Sequence, residues 1–542
     1  MSFLNLNLNL NLTYQNIHFR HPSSSSSPPI PLPPLPPGIS RSFIPTPHGD
    51  LEILHTATTT TTSSSSQQPA LFFIHGGMGS ASVWLEYLSF FSEQQQQQQQ
   101  NIPCYAISMR GHGGSWYPSY LRMVYGTTKG DLTGDVVSGI RWAVDRERGQ
   151  RKQLQQLGRE GIKGQGKEGR GGEEWEEVEM VLIGHSSGGG LAQYILSAGL
   201  LGGLGVKIKG LVLMGAVPGF GSIPIYLTWF RLDPLFALRL LLHLGHPNSP
   251  LSHPSLVRLI FFSSNDLLPD SYLSRFMSFM SRYESLLWPL GMARSFADPK
   301  KVLLRISGWE ETTTKQEQKQ GQEERVLVIA GQRDKIMTQP IMQRLADWYR
   351  AAYQRLVVEE KKIDGVMVGS GENETVDEEV EVEVEVEGSG GFKDTAGRGV
   401  RFALVPGAGH HCQNDVGWEV GARKPVCLLN TLRIKWCAGW RVAILRDEYG
   451  VPMSRVGETS HKVIQGVIPP VKVHLITDSL LQLTHTGISS HATSMPITNI
   501  LLLSFVASAL SFDCLSTALS YAGIKPNTDT ERYTYKPTGT QK

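Results

Sequence analysis

Cysteine is scarce in this chain. Five residues, Cys104, Cys412, Cys427, Cys437 and Cys514, are scattered through 542 positions without a CxxC pair. Such spacing builds neither a disulfide framework nor a thiolate zinc site, and a reducing compartment is the default. An excess of one charge is missing too: 51 Lys and Arg face 49 Asp and Glu, a formal net charge of +2. Without a basic stripe interleaved with aromatics, this balance argues against nucleic acid as a partner. Long apolar runs are also lacking. Residues 500–512 are apolar but stop at Asp513, short of the roughly 20 residues that cross a bilayer, which weighs against a membrane partner. No acidic residue precedes Asp50. An acid-free start is compatible with a mitochondrial presequence, but arginines are few there, and Leu-Asn alternation up to Leu12 spoils any secretory core. A cytoplasmic protein is expected, with mitochondrial import as the alternative.

What is present is a globular middle between low-complexity ends. Residues 1–40 carry the Leu-Asn repeat, a serine run at 23–27 and a proline-rich tract at 28–37. Such tracts cannot bury a core, and a disordered tail is expected. Residues 41–424 read as one domain. Segments 42–45 and 51–54 look like a hairpin around Pro47-His48-Gly49-Asp50. Six short apolar runs follow, at 71–74, 104–107, 180–183, 211–214, 326–329 and 402–405, each ending in a glycine-bearing loop. Continuous rather than alternating apolarity marks strands covered on both faces. Helical segments at 82–93, 129–146, 191–198 and 339–353 fit between them, which predicts an α/β fold with a doubly wound, mostly parallel sheet.

Inserts at 94–100, 147–174, 311–324 and 358–398 fall between elements and are expected to be disordered. The Val-Glu alternation at 380–387 could pass for a strand, but its charge favours a solvated segment. Residues 217–300 differ, being rich in Leu, Phe, Met and Trp. Apolar-faced helices at 226–230, 236–242 and 272–288 suggest an inserted helical lid. Pro425 is expected to break a helix starting at Trp418, and 425–542 reads as a C-terminal extension without pattern, acquired or a gene-model artefact.

The most informative stretch runs Val181-Leu182-Ile183-Gly184-His185-Ser186-Ser187-Gly188-Gly189-Gly190. A strand turning at once into a helix lifts the Ser186 hydroxyl to the crest of the sheet, and side chains at 184 or 188 would collide with neighbouring backbone. Four more motifs follow strands: His75-Gly76-Gly77-Met78-Gly79, Arg110-Gly111-His112-Gly113-Gly114-Ser115, Gly331-Gln332-Arg333-Asp334 and Gly407-Ala408-Gly409-His410. Together, over residues 42 to about 420, they resemble the α/β-hydrolase superfamily, in particular its lidded esterase, lipase and non-haem haloperoxidase-like serine hydrolases.

The resemblance implies a triad in the order Ser186, Asp334, His410. Ser186 is the candidate nucleophile, which a base must activate; the competing reading is a serine capping the following helix. His410 is the candidate base, with neighbouring His411 as competitor. Asp334 would orient the imidazole; its competing reading is a loop aspartate paired with Arg333 or Lys335. The oxyanion donors would be the Ser187 amide and an amide after Ile74, Gly77 or alternatively Met78. His75 would shape that loop, and the 110–115 turn would be structural, with Ser108 standing where an acidic residue is frequent. No haem or metal ligand set appears, and no cofactor is implied. The expected function is hydrolysis of a carboxylic ester or related small-molecule acyl substrate through an acyl-enzyme. The rivals are a serine aminopeptidase or amidase, using a carboxylate such as Asp233, Asp266, Asp270 or Glu284 for a substrate amine, and a non-catalytic ligand-binding homologue.

Overall fold

The hairpin around 47–50 forms as β1 (Ile39–Ile44) and β2 (Leu51–Thr56), paired antiparallel. Every one of the six apolar runs lies in a strand: β3 (Ala70–Ile74), β4 (Cys104–Ile107), β5 (Val178–His185), β6 (Val206–Met214), β7 (Val326–Gly331) and, after the short β8 (Thr395–Gly397), β9 (Val400–Val405). This computed structural model describes residues 17–19, 32–56, 68–98, 102–161, 177–263, 268–309, 324–359 and 394–431. The strands join in one nine-stranded sheet of order β1-β2-β4-β3-β5-β6-β7-β9-β8. Its six central strands are mutually parallel, while β1, β2 and β8 pair antiparallel at the two ends. Register aligns the strand ends: Ile74 lies opposite Gly184, His185 opposite Met214, and Gly331 opposite Val405. The loops after β3, β5, β7 and β9 therefore open on one edge, where sheets of this kind hold their sites.

Twelve α-helices accompany the sheet: α1 (Leu85–Gln98), α2 (Tyr120–Gly126), α3 (Lys129–Gly161), α4 (Ser187–Ala198), α5 (Ile223–Leu232), α6 (Phe236–Leu242), α7 (Pro254–Phe261), α8 (Asp270–Ser278), α9 (Leu287–Leu290), α10 (Pro299–Leu304), α11 (Gln339–Gln354) and α12 (Trp418–Thr431), counted among the described residues. Alternation along each strand splits the core. Phe72, Leu182 and Leu213 pack with Val136 and Ile140 of α3, Leu191 of α4 and Leu345 of α11. Leu71, Phe73, Val181 and Ile183 pack on the other face with Trp84, Leu88, Phe91 and Ala422.

Several boundaries differ from the sequence reading. Part of the tail is ordered: Ile17 is buried, and the His18 carbonyl accepts from His246 Nε2 at 2.9 Å. Helix α1 runs on to Gln98, and α3 runs through 147–161, residues read as inserts. In α3 the polar letters find partners. Tyr105 donates to the buried Glu147, and Arg148 donates to the Gly205 carbonyl at 3.0 Å. Segment 358–398 contributes β8. The helix expected over 272–288 ends at Ser278, because the following loop bonds elsewhere: Ser281 N–H donates to the Met78 carbonyl at 3.0 Å. Finally, α12 continues through Pro425. Proline removes one helical hydrogen bond, and tertiary anchoring offsets the loss: Ala422 is buried, and Lys424 pairs with Asp394 at 2.7 Å. Asp266, the 380–387 alternation, the 500–512 segment and everything after 431 lie outside the described residues.

Candidate active site

Ser186 sits between β5 and α4 with φ 53° and ψ −126°, a conformation that is costly for a residue with a side chain. The glycines make it feasible. A Cβ on Gly184 would stand 2.5 Å from Gly189 Cα, and one on Gly76 would stand 2.7 Å from Ser186 Cβ. The hydroxyl is thus held up by backbone crossing closely beneath and beside it. It does not cap α4, since no side-chain capping bond forms there.

His410 reaches this hydroxyl from the loop after β9, with Nε2 to Ser186 Oγ 3.0 Å. Its Nδ1–H donates to Asp334 Oδ2 at 2.8 Å. A carboxylate only accepts, so the ring keeps its proton on Nδ1 and turns the Nε2 lone pair to the serine. The other Asp334 oxygen accepts the N–H groups of Ile336 (2.9 Å) and Met337 (2.8 Å). The neighbouring Lys335 turns away, donating to the Leu259 and Phe262 carbonyls. His411 is also accounted for. It is buried among Phe261, Phe262, Phe276 and His185, and burial, followed by the nearby His410, pushes its pKa down to about 3. The three sequence-predicted side chains, 76 to 224 positions apart, meet at one point.

The expected oxyanion donors are more entangled. Gly77 N–H donates to Ser187 Oγ at 2.8 Å. Met78, the alternative donor, has φ 64° and gives its N–H to Glu284 Oε2 at 2.9 Å. Both amides thus already have acceptors in this conformation. The Ser187 amide stands at the first position of α4, where no intrahelical acceptor exists.

Sequence reasoning named Glu284, His75 and the 110–115 turn but not the partners through which they brace the site. Glu284, in the loop after α8, also accepts from His112 Nε2 at 2.9 Å, and its Oε1 accepts Ser285 N–H at 2.8 Å. His112 Nδ1 donates to the Arg110 carbonyl. Both ring nitrogens thus face acceptors, which calls for an imidazolium. Burial opposes that charge, but the Glu284 carboxylate overcomes it and raises the His112 pKa. Asp415 accepts from Gly409 N–H (2.6 Å) and Ser263 N–H (2.8 Å), tying the His410 loop to the inserted helices. His185 Nε2 donates to the His410 carbonyl at 3.0 Å. His75 shapes its own loop, receiving Met109 N–H on Nε2 and donating from Nδ1 to the Gly76 carbonyl. In the 110–115 turn, Arg110 clamps Asp135 on α3 through both carboxylate oxygens, at 2.8 and 2.7 Å. Where the pattern commonly has an acid, Ser108 donates to Glu52 of β2 at 2.7 Å, so the carboxylate comes from another strand.

A family model described as the alpha/beta hydrolase family matches residues 71–415. The chain belongs to that family. The matched span runs from β3 to Asp415 and takes in the five motifs. No curated protein matches it significantly. Among solved structures it is similar to a thermophilic esterase from Thermogutta terrifontis, with 13% identity and a TM-score of 0.37, covering 73% of this chain and 100% of that one. It is also similar to the 2-hydroxy-6-oxo-6-phenylhexa-2,4-dienoate hydrolase of Rhodococcus sp. strain RHA1 (15%, 0.39, 72% and 99%). A third likeness is to an esterase from Exiguobacterium antarcticum (12%, 0.38, 72% and 99%). Among the described residues no helix is long and apolar enough to cross a membrane.

Proposed function

We propose that this hydrolase cleaves a carboxylic ester or related acyl compound through an acyl-enzyme on Ser186. The observation that carries the reading is the continuous line from Ser186 Oγ through the His410 ring to Asp334 Oδ2, at 3.0 and 2.8 Å. Along it, Ser186 Oγ attacks the acyl carbon while its proton passes to His410 Nε2. Asp334 stabilises the imidazolium, which then protonates the departing alcohol. Water repeats the sequence to release the acid. Apolar contact for an acyl group is available from Met78, which is half-buried, and from Trp288, whose Cζ2 lies 3.6 Å from the position of a Cβ on Gly77, as does Glu284 Oε2.

The aminopeptidase reading needs a carboxylate ready for a substrate amine. Asp233 is held by both terminal guanidinium nitrogens of Arg239, and Asp270 is almost fully exposed and paired with Arg258. Glu284 is close enough, but its oxygens already take His112, Met78 and Ser285. An ester is therefore the better supported substrate. The test is labelling with a fluorophosphonate probe. Native protein should label and Ser186→Ala should not; a panel of p-nitrophenyl esters and aminoacyl p-nitroanilides should show turnover of the esters. Equal labelling of both chains would sink the role of Ser186. Absence of labelling and turnover in the native chain would favour the non-catalytic homologue.

A further inference from the structure

Along residues 181–193 every residue is buried except two, Ser186 and Ser187. On the facing wall, residues 69–81 are buried except Gly77 and Met78. Gly77 N–H reaches Ser187 Oγ at 2.8 Å and a Cβ on Gly76 would stand 2.7 Å from Ser186 Cβ, so these partly exposed residues are neighbours and the Ser187 hydroxyl stands beside the candidate nucleophile. It is there as an acceptor, taking Gly77 N–H at 2.8 Å. A serine hydroxyl also has one proton to give, and among the described residues Ser187 Oγ donates no hydrogen bond.

We propose that the Ser187 hydroxyl, and not only its amide, donates to the developing oxyanion, as the second link of a relay Gly77 N–H to Ser187 Oγ–H to substrate oxygen. The proposal rests on the acyl-enzyme reading and gives Gly77 an indirect part in it. Accepting the amide hydrogen polarises the O–H bond and strengthens it as a donor. No proton changes hands on this branch. As Ser186 Oγ bonds to the acyl carbon, the carbonyl π pair moves onto oxygen, the Ser186 proton goes to His410 Nε2, and Ser187 keeps its hydrogen. The relay also suits the charge nearby. Glu284 Oε2 lies 3.6 Å from the position of a Cβ on Gly77, and a carboxylate that near would oppose an oxyanion were it not neutralised by His112 and screened by donors. The simpler arrangement, in which Ser187 swings aside and Gly77 N–H meets the oxyanion directly, makes the opposite forecast for removal of the hydroxyl.

Ser187→Ala, Ser187→Thr and Ser187→Cys decide between the two, assayed on the best p-nitrophenyl ester and with a phenylboronic acid as mimic of the tetrahedral intermediate. The relay expects Ser187→Ala to lower kcat about 10²-fold, with KM nearly unchanged and boronate affinity falling in step. Ser187→Thr, which keeps the hydroxyl, should recover most of the loss, and Ser187→Cys, a weaker donor of similar size, should fall between. A Ser187→Ala enzyme with native kcat and boronate affinity overturns the relay, as does a rise in either. Fluorophosphonate labelling separates the two layers. If native protein and Ser187→Ala both label at native rates, only the relay fails; if the native protein does not label, the acyl-enzyme reading fails and takes the relay with it.

Discussion

The two oxygens of Asp334 have separate duties: Oδ1 anchors the loop through Ile336 and Met337, and Oδ2 holds the His410 proton. Asp334→Asn can preserve the first and not the second, because an amide N–H facing Nδ1 drives the imidazole proton to Nε2, where it blocks the serine. Such a tautomer error costs about 10⁴-fold in kcat; ester turnover should fall by that order with KM little changed and the fold intact by circular dichroism. Gly76 offers a second test at this scale. Its missing Cβ is what lets Ser186 Cβ approach, so Gly76→Ala should cut fluorophosphonate labelling by at least tenfold. Labelling at the native rate would show that the loop after β3 can shift to make room.

Among elements, the most consequential join is between the inserted loop after α8 and the β4 turn. Glu284 and His112 are both buried, and their bond ties the loop to the turn beside the Met78 amide. A pKa raised in the folded state means that the pair contributes stability fully below the unfolded histidine value near 6.5 and loses it as pH climbs through the raised value. Glu284→Gln should therefore be destabilised most in mildly acidic buffer, by about 1.5–3 kcal/mol for a lost charged hydrogen bond. Urea unfolding of both chains should converge as pH rises; a gap independent of pH would mean that the pair is not ionised. The Arg110 to Asp135 clamp is another buried charge contact, between the β4 turn and α3. Arg110→Ala leaves the buried Asp135 carboxylate with the backbone N–H of residue 110 but without its counter-charge, a loss of about 3 kcal/mol, readable as a lower urea midpoint.

On the scale of the molecule, several imidazoles are held neutral. Burial lowers His75 and His185 far below their ordinary range, His411 to about 3 and His246 to about 4. The unfolded chain binds these protons near pH 6.5 and the folded chain does not, so stability must fall as pH drops from 6.5 toward 4. Glu86 works the other way: burial raises it to about 7, which adds stability on the acid side. The histidines outnumber it, and differential scanning calorimetry should show the melting temperature dropping across that interval. A melting temperature that stays flat or rises there would mean these rings are protonated in the fold.

Ser186, Asp334 and His410 were legible in the sequence because each follows an apolar run at the end of a strand, and parallel strands of matched register carry such ends to one edge. The doubly wound sheet was legible for the same reason: uninterrupted apolarity has few other uses in a chain of this composition. Helix ends were not legible where polar or proline residues are held by distant partners, as Glu147 is by Tyr105 and the Pro425 turn by Asp394. Nor could spacing pair Glu284 with His112 across 172 positions, attach Asp415 to Ser263, or reveal that Gly77 spends its amide on Ser187. Local pattern fixes what each segment is, because periodicity and steric limits act over a few residues. Which buried charge meets which, and which donor remains for a substrate, depends on where those segments come to rest, and only the tertiary structure decided that.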